Sequence, residues 1–231
     1  GWISDEYWRK SIDNYNKNID KINLAGAPCV VAIDLSKRID LTVYTMCFYL
    51  HELDMYYLKH KIYIPKGMIE EKIKTDSHMF YTWISQGWVT PIEGDTINTE
   101  IVFGDLEKDV TEYKPLYAGY DPYMSGELVD KLSRIIDTVE IAQNYKKMSE
   151  PTKDFEVQVM NSKIIDNNPV MRWCMSNAVA STWDNNIKIK KEIASSPKRI
   201  DPVITSIMAL SLLKDNMRDE PVSFESVAAL F

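Results

Sequence analysis

From residue 29 onward the chain carries β-branched and aromatic runs at 29–35, 41–50 and 55–64, the last closed by Pro65. Runs of this length and make-up predict three strands in an antiparallel meander. The Ser-Lys-Arg-Ile-Asp link at 36–40 is short and polar, as a hairpin loop between the first two strands should be. Ahead of the meander, the pattern predicts a helix over about 5–18 and a loop closed by Gly26 and Pro28, with Trp2, Tyr7 and Trp8 placed to pack back on the core.

After Pro65 the period becomes helical, first at 68–73 and then at 77–86, where Met79, Phe80, Trp83 and Ile84 form an apolar stripe that Gly87 ends. A further helix is predicted over 98–113, then a short strand at 115–120 closed by Asp121-Pro122, and a helix over 126–136. A strand at 138–142 follows, then a helix over 150–166 entered through Pro151, and another from Asn168-Pro169 to 181. Residues 185–191 alternate Ile187 and Ile189 against Lys188 and Lys190, which reads as a hairpin or edge strand with a basic face. The last helix, 202–216, should bury Val203, Ile207 and Leu210, with Ile204 and Leu212 widening the stripe. Leading strands followed by alternating strands and helices predict an α/β fold with a mixed central sheet flanked by helices.

Length and composition add one domain to this picture: 231 residues, 45% hydrophobic, can bury a substantial core. No repeat or low-complexity linker divides the chain. The expected organisation is an N-terminal connector at 1–27, a main domain at 28–216 and a tail at 217–231 that is acidic and then apolar. The abrupt opening Gly-Trp-Ile-Ser-Asp-Glu-Tyr-Trp suggests a piece of a longer protein. A net charge of −7 argues against coating nucleic acid over the whole surface and leaves room for local contact. Cys29, Cys47 and Cys174, widely spaced in apolar sequence, read as buried free thiols, which suits a reducing cytoplasm. No run reaches the roughly 18 apolar residues of a membrane span, so no membrane partner is expected.

Candidate chemistry rests on three aspartates where an apolar run stops or a helix starts: Asp34, Asp121 and Asp201. Carboxylates brought to the ends of core elements from distant stretches can hold divalent cations for phosphate chemistry. Each also has a structural explanation. Asp34 can open a loop, Asp-Pro at 121–122 is a common turn opening, and Asp201 before Pro202 reads as a helix N-cap with proline at the first helical position. Lys188, Lys190, Lys191, Lys198 and Arg199 precede Asp201 and are candidates for phosphate contact, with a lysine-protected edge strand as the other reading. Other motifs fail: His51-Glu52 is followed by Met55 where a second zinc ligand would stand, His60 and His78 are isolated, no Cys-x-x-Cys occurs, and no glycine is followed by lysine, so there is no P-loop.

One acid on a first central strand before a hairpin, one at the end of a later strand and one at the start of the terminal helix is the plan of ribonuclease-H-like nucleases. A closer resemblance lies in Ala-Ile-Asp-Leu-Ser with Asp40 and Thr42, Gly-Tyr-Asp-Pro at 119–122, Asn-Pro-Val-Met-Arg-Trp at 168–173 with Asn177, and Lys-Arg-Ile-Asp-Pro-Val-Ile at 198–204 followed by Ile-Met-Ala-Leu at 207–210. This ordered set resembles the C-terminal nuclease domain of the large terminase subunit of tailed bacteriophages, and the opening Trp-Ile-Ser-Asp-Glu-Tyr-Trp resembles the segment linking that domain to its ATPase. The resemblance implies a ribonuclease-H-like fold and a DNA endonuclease that cuts concatemeric viral DNA. It also implies two divalent cations, Mg²⁺ or Mn²⁺, with Asp34 as bridging ligand and Asp121 and Asp201 each completing one metal shell. Its implied partners are double-stranded DNA, an ATPase domain in the same polypeptide, a small terminase subunit and a portal, at the procapsid in the host cytoplasm. Two residues depart from the family pattern: Asn168 stands where histidine is frequent, and Pro202 where glycine is frequent. Another ribonuclease-H-like nuclease, of transposase or resolvase type, and a non-catalytic DNA-binding or docking module are the competing readings.

Overall fold

The computed structural model describes residues 1–35, 41–192 and 198–218, and of 70–77 the backbone alone. Residues 36–40, expected as a hairpin loop and holding Ser36 and Asp40 of the resemblance, and those beyond 218 lie outside the described residues.

In chain order the first elements are α1 (Asp5–Asn18), β1 (Cys29–Asp34), β2 (Thr42–Leu50), β3 (Met55–Pro65), α2 (Lys66–Ser85), β4 (Thr90–Ile92) and α3 (Thr99–Tyr113). Then come β5 (Ala118–Tyr120), α4 (Gly126–Ser133), β6 (Thr138–Glu140), α5 (Tyr145–Met160) and β7 (Ile164–Ile165). The chain continues through α6 (Pro169–Asn177), β8 (Ala178–Trp183), β9 (Asn186–Lys191) and α7 (Asp201–Arg218).

The meander forms as the pattern predicts: β1 and β2 are antiparallel with Ala32 opposite Thr45, and β2 and β3 are antiparallel with Thr45 opposite His60. β5 pairs in parallel with the free edge of β1, and β6 in parallel with β5. The sheet therefore runs β4-β3-β2-β1-β5-β6, with β7 also on β3. Strand alternation splits the core in two. Val30 and Ala32 of β1 join the cluster that holds α7, while Val31 and Ile33 join the cluster on the α3 side.

Several boundaries differ from the sequence expectation. β4 and β7 are two or three residues long, too short to show a period, and exist because the outer edge of β3 offers them ladder bonds. Residues 66–85 form one continuous helix. α5 starts at Tyr145, because Asn144 caps it by accepting the Lys147 N–H at 2.9 Å, and Pro151 therefore stands inside the helix. It stops at Met160, after which Ser162 takes a left-handed φ of 58° and the chain turns into β7. α6 ends at Asn177 rather than 181, since 178–183 pairs with β9 across a turn whose Asp184 and Asn185 both have positive φ, the geometry of a tight hairpin.

α1 is bound to the domain by specific contacts. Trp8, 1% exposed, stacks on Phe155 with ring centroids 6.3 Å apart, and Asn14 Nδ2 donates to the carbonyls of Ser162 and Ile164. Tyr7 does not pack inward and stays exposed. α7 buries Val203, Ile207 and Leu210, with Ile204 and Leu212 beside them, as its stripe predicts.

Candidate functional site

β1 and β5 run parallel with Ile33 opposite Tyr120, so both chains leave the sheet at the same end. Asp34 is the last residue of β1 and Asp121 follows β5 directly. Alternation puts Asp34 on the face of Val30 and Ala32, the α7 side. Gly119 of β5, opposite Ala32, faces α7 as well, since an added Cβ there would meet Leu212 Cδ2 of α7 at 3.4 Å. Both aspartates line one cleft of about 220 Å³, together with Ile33, Leu35, Tyr123 and Met124. The Asp-Pro turn is also real: Asp121 Oδ1 accepts the Tyr123 N–H at 2.7 Å and its carbonyl accepts the Met124 N–H at 2.9 Å. That turn orients the carboxylate within the cleft.

Asp201 opens α7 as its first helical residue. The N–H groups of Val203 and Ile204 both donate to the Ile200 carbonyl, so the cap falls one residue earlier than expected and Pro202 takes the second helical position. A missing N–H costs nothing there, because first-turn donors have no partner inside the helix. Asp201 is 7% exposed. Thr205, four residues on and so on the same helix face, bonds Thr45 of β2 at 2.7 Å, which turns that face toward the sheet. Asp201 does not line the Asp34–Asp121 cleft. Among the described residues no group of three or more His, Cys, Asp or Glu side chains could hold a metal ion, so the fold brings two of the three acids together.

The basic candidates divide. β9 packs on α5 through buried Ile189, and the Ile187 N–H donates to Ser149 Oγ. Lys190 is exposed on the outer face and Lys188 Nζ lies 5.9 Å from the centre of the Tyr145 ring. Lys191 is half-buried, and exposed Lys198 lies 3.9 Å from Glu192. Arg199, 7% exposed, is buried where the chain turns into α7, and its carbonyl accepts from Asn177 Nδ2. Trp183 is 66% exposed at the hairpin end, with its ring 6.1 Å from that of Tyr145.

The three cysteines are buried free thiols, as expected. Burial pushes the Cys29 thiol up to about 12 and the Cys47 thiol higher still. The Cys174 thiol is raised first by burial and then by the Asp201 charge, against the opposing charges of Arg199 and Lys191.

A family model for the terminase large subunit, endonuclease domain, matches residues 1–216. The chain belongs to this family. It is 25% identical over 207 residues to protein YmfN of Escherichia coli, spanning 84% of this chain and 45% of that one. It is 22% identical over 200 residues to the terminase large subunit of Enterobacteria phage HK97, spanning 84% of this chain and 39% of that one. The chain thus spans less than half the length of these curated relatives. The crystal structure of the HK97 large terminase superposes with a TM-score of 0.78 at 19% identity, over 91% of this chain and 43% of that one. The large terminase nuclease of the thermophilic phage G20c with bound cobalt superposes with a TM-score of 0.51 at 9% identity, over 80% and 81%. The fold is that of terminase nuclease domains, a ribonuclease-H-like mixed sheet flanked by helices, as the sequence led us to expect.

Proposed function

We propose that this terminase domain is a divalent-metal-dependent endonuclease that cuts concatemeric viral DNA during genome packaging by a two-metal mechanism. The observation that carries the reading is the meeting of Asp34 and Asp121 in one cleft at the shared end of adjacent parallel strands. The donor set fits the ions invoked. Carboxylate oxygens suit hard cations, and Mg²⁺ is commonly held by one or two carboxylates, with water and substrate phosphate completing its shell. The cobalt-bound G20c nuclease supports a divalent ion in this fold.

Asp34 and Asp121 would hold a cation in the cleft, and Asp201, at the start of α7, would contribute to a second. Bound cations supply Lewis-acid polarisation of the phosphodiester and lower the pKa of water at neutral pH. The chain itself orients the Asp121 carboxylate through the Tyr123 N–H, and walls the cleft with Ile33, Leu35 and Met124. Lys188 and Lys190, on the hairpin outside the cleft, would bind the DNA backbone. Residues 1–27 would connect to the ATPase domain of the same polypeptide. The small terminase subunit and portal are the assembly partners of this reading, at the procapsid in the host cytoplasm.

The test is plasmid cleavage by the purified chain with Mn²⁺ or Mg²⁺, beside Asp34→Asn, Asp121→Asn and Asp201→Asn. Metal-dependent nicking lost in the variants is expected. Identical behaviour of wild type and variants would sink the assignment.

A further inference from the structure

His60 reads as an isolated histidine in the sequence, yet its side chain is wholly enclosed and stands at the centre of a continuous polar line. Its Nε2 lies 2.7 Å from Asp166 Oδ2 and its Nδ1 2.8 Å from Thr45 Oγ1. Thr45 Oγ1 lies 2.7 Å from Thr205 Oγ1 of α7, and Thr205 Oγ1 is 3.2 Å from the carbonyl oxygens of Asp201 and Pro202. At the other end, Asp166 Oδ1 accepts the Asn168 N–H at 2.6 Å, and Asn168 Oδ1 caps α6 through the N–H groups of Val170 and Met171. The line therefore runs from the start of α6, across β3 and β2, to the start of α7. Thr45, Thr205 and Asp166 are each no more than 1% exposed.

The layer this line crosses is otherwise apolar, built from Val43, Cys47, Ile62, Val203 and Ile204 among others. Apolar side chains of similar volume commonly serve stability as well as buried ionic and polar groups do, so stability alone does not account for the line. A fully satisfied buried network does something else: it selects one arrangement of the elements that contribute to it. Thr45 Oγ1 is within hydrogen-bond distance of both the His60 ring and the Thr205 hydroxyl, so it couples β3 to α7 whichever group donates. Thr205 and Asp201 lie on one face of α7, so the bond to Thr45 fixes the rotation of the turn that carries Asp201.

We propose that His60, oriented by Asp166, is a positioning residue for DNA cleavage, acting through Thr45 and Thr205 to set where Asp201 stands over the sheet that bears Asp34 and Asp121. The proposal rests on the nuclease reading above. It assigns a role to a histidine far from the cleft, and gives Asn168 and Asp166 the task of anchoring the line at α6.

Thr45→Val breaks the line with little change of volume, and Thr45→Ser restores it. Two measurements apply: the Mn²⁺ midpoint for plasmid cleavage, and hydrogen–deuterium exchange of the Val203 and Ile204 amides in metal-free protein. In Thr45→Val the midpoint should rise about tenfold, the loss typical when a support of a metal ligand is removed. Exchange of the two amides should quicken roughly tenfold while that of β1 is unchanged. DNA affinity measured in Ca²⁺ should stay within about twofold, because the line touches no DNA-facing group. Thr45→Ser should return both readouts to the wild-type values. A folded Thr45→Val with wild-type midpoint and wild-type exchange overturns the proposal. Should Thr45→Val fail to fold, Asp166→Asn is read in the same way, and unchanged values there overturn it equally. Wild-type protein that does not cleave plasmid in Mn²⁺ defeats the nuclease reading instead, and the exchange measurement still decides whether the line holds the start of α7.

Discussion

Ile33 of β1 stands opposite Tyr120 of β5 in a parallel pair, and the residue after each, Asp34 and Asp121, lines the same cleft. A cation held by these two carboxylates binds the folded domain alone, so the domain should gain stability when one is present. At a Mn²⁺ concentration a hundredfold above its dissociation constant the gain is about 2.7 kcal/mol. For a chain of this size that amounts to roughly 5–10 °C in melting temperature. Calorimetry should find the shift in wild type and its loss in Asp121→Asn.

On the hairpin Lys190 is exposed and Lys188 half-buried, whereas Arg199 is buried. Each phosphate contact removed should lower the slope of log affinity against log salt by about 0.9. Fluorescence anisotropy across a salt series should show this for Lys188→Ala and Lys190→Ala. Arg199→Ala should instead lower the denaturation midpoint. A salt slope that falls with Arg199 alone would refute the division.

Trp8 fills the space between α1 and α5 against Phe155. Truncation to alanine should cost about 3–5 kcal/mol. Urea unfolding checks this, and a loss below 1 kcal/mol would mean that α1 contributes little to the fold.

The buried thiols set an alkaline limit. Burial raises Cys29 from its ordinary 9.0 to about 12, so the folded state retains a proton that the unfolded state gives up between those values. Its contribution is complete below pH 9.0 and is lost as pH rises toward about 12. Cys47, Cys174 and the buried Tyr44 and Tyr63 are shifted the same way by burial first, so stability should fall steadily above pH 9.0. Melting temperatures from pH 8 to 11 test the slope. Thiol reagents at neutral pH should find no reactive cysteine in the folded chain.

The sequence by itself determined the elements whose residues all answer to one environment. The meander of β1, β2 and β3 is legible because each strand is a long apolar run, and α7 because its stripe is continuous. The ordered set of motifs around Asp34, Asp121, Asn168 and Asp201 was likewise sufficient to point to the terminase nuclease family, to which the chain belongs. What the sequence could not decide depends on partners distant in the chain. β4 and β7 exist only because β3 offers an edge, and β8 leaves the expected helix only because β9 is there to pair with it. Asp34 and Asp121 share a cleft because β1 and β5 are parallel neighbours, a pairing that no local period encodes. His60 becomes the centre of a buried line only when β2, α7 and the residues after β7 close around it. Local propensity and periodicity act over a few residues and are written in the chain, whereas register, pairing and the satisfaction of buried polar groups are settled by contacts that form only on folding.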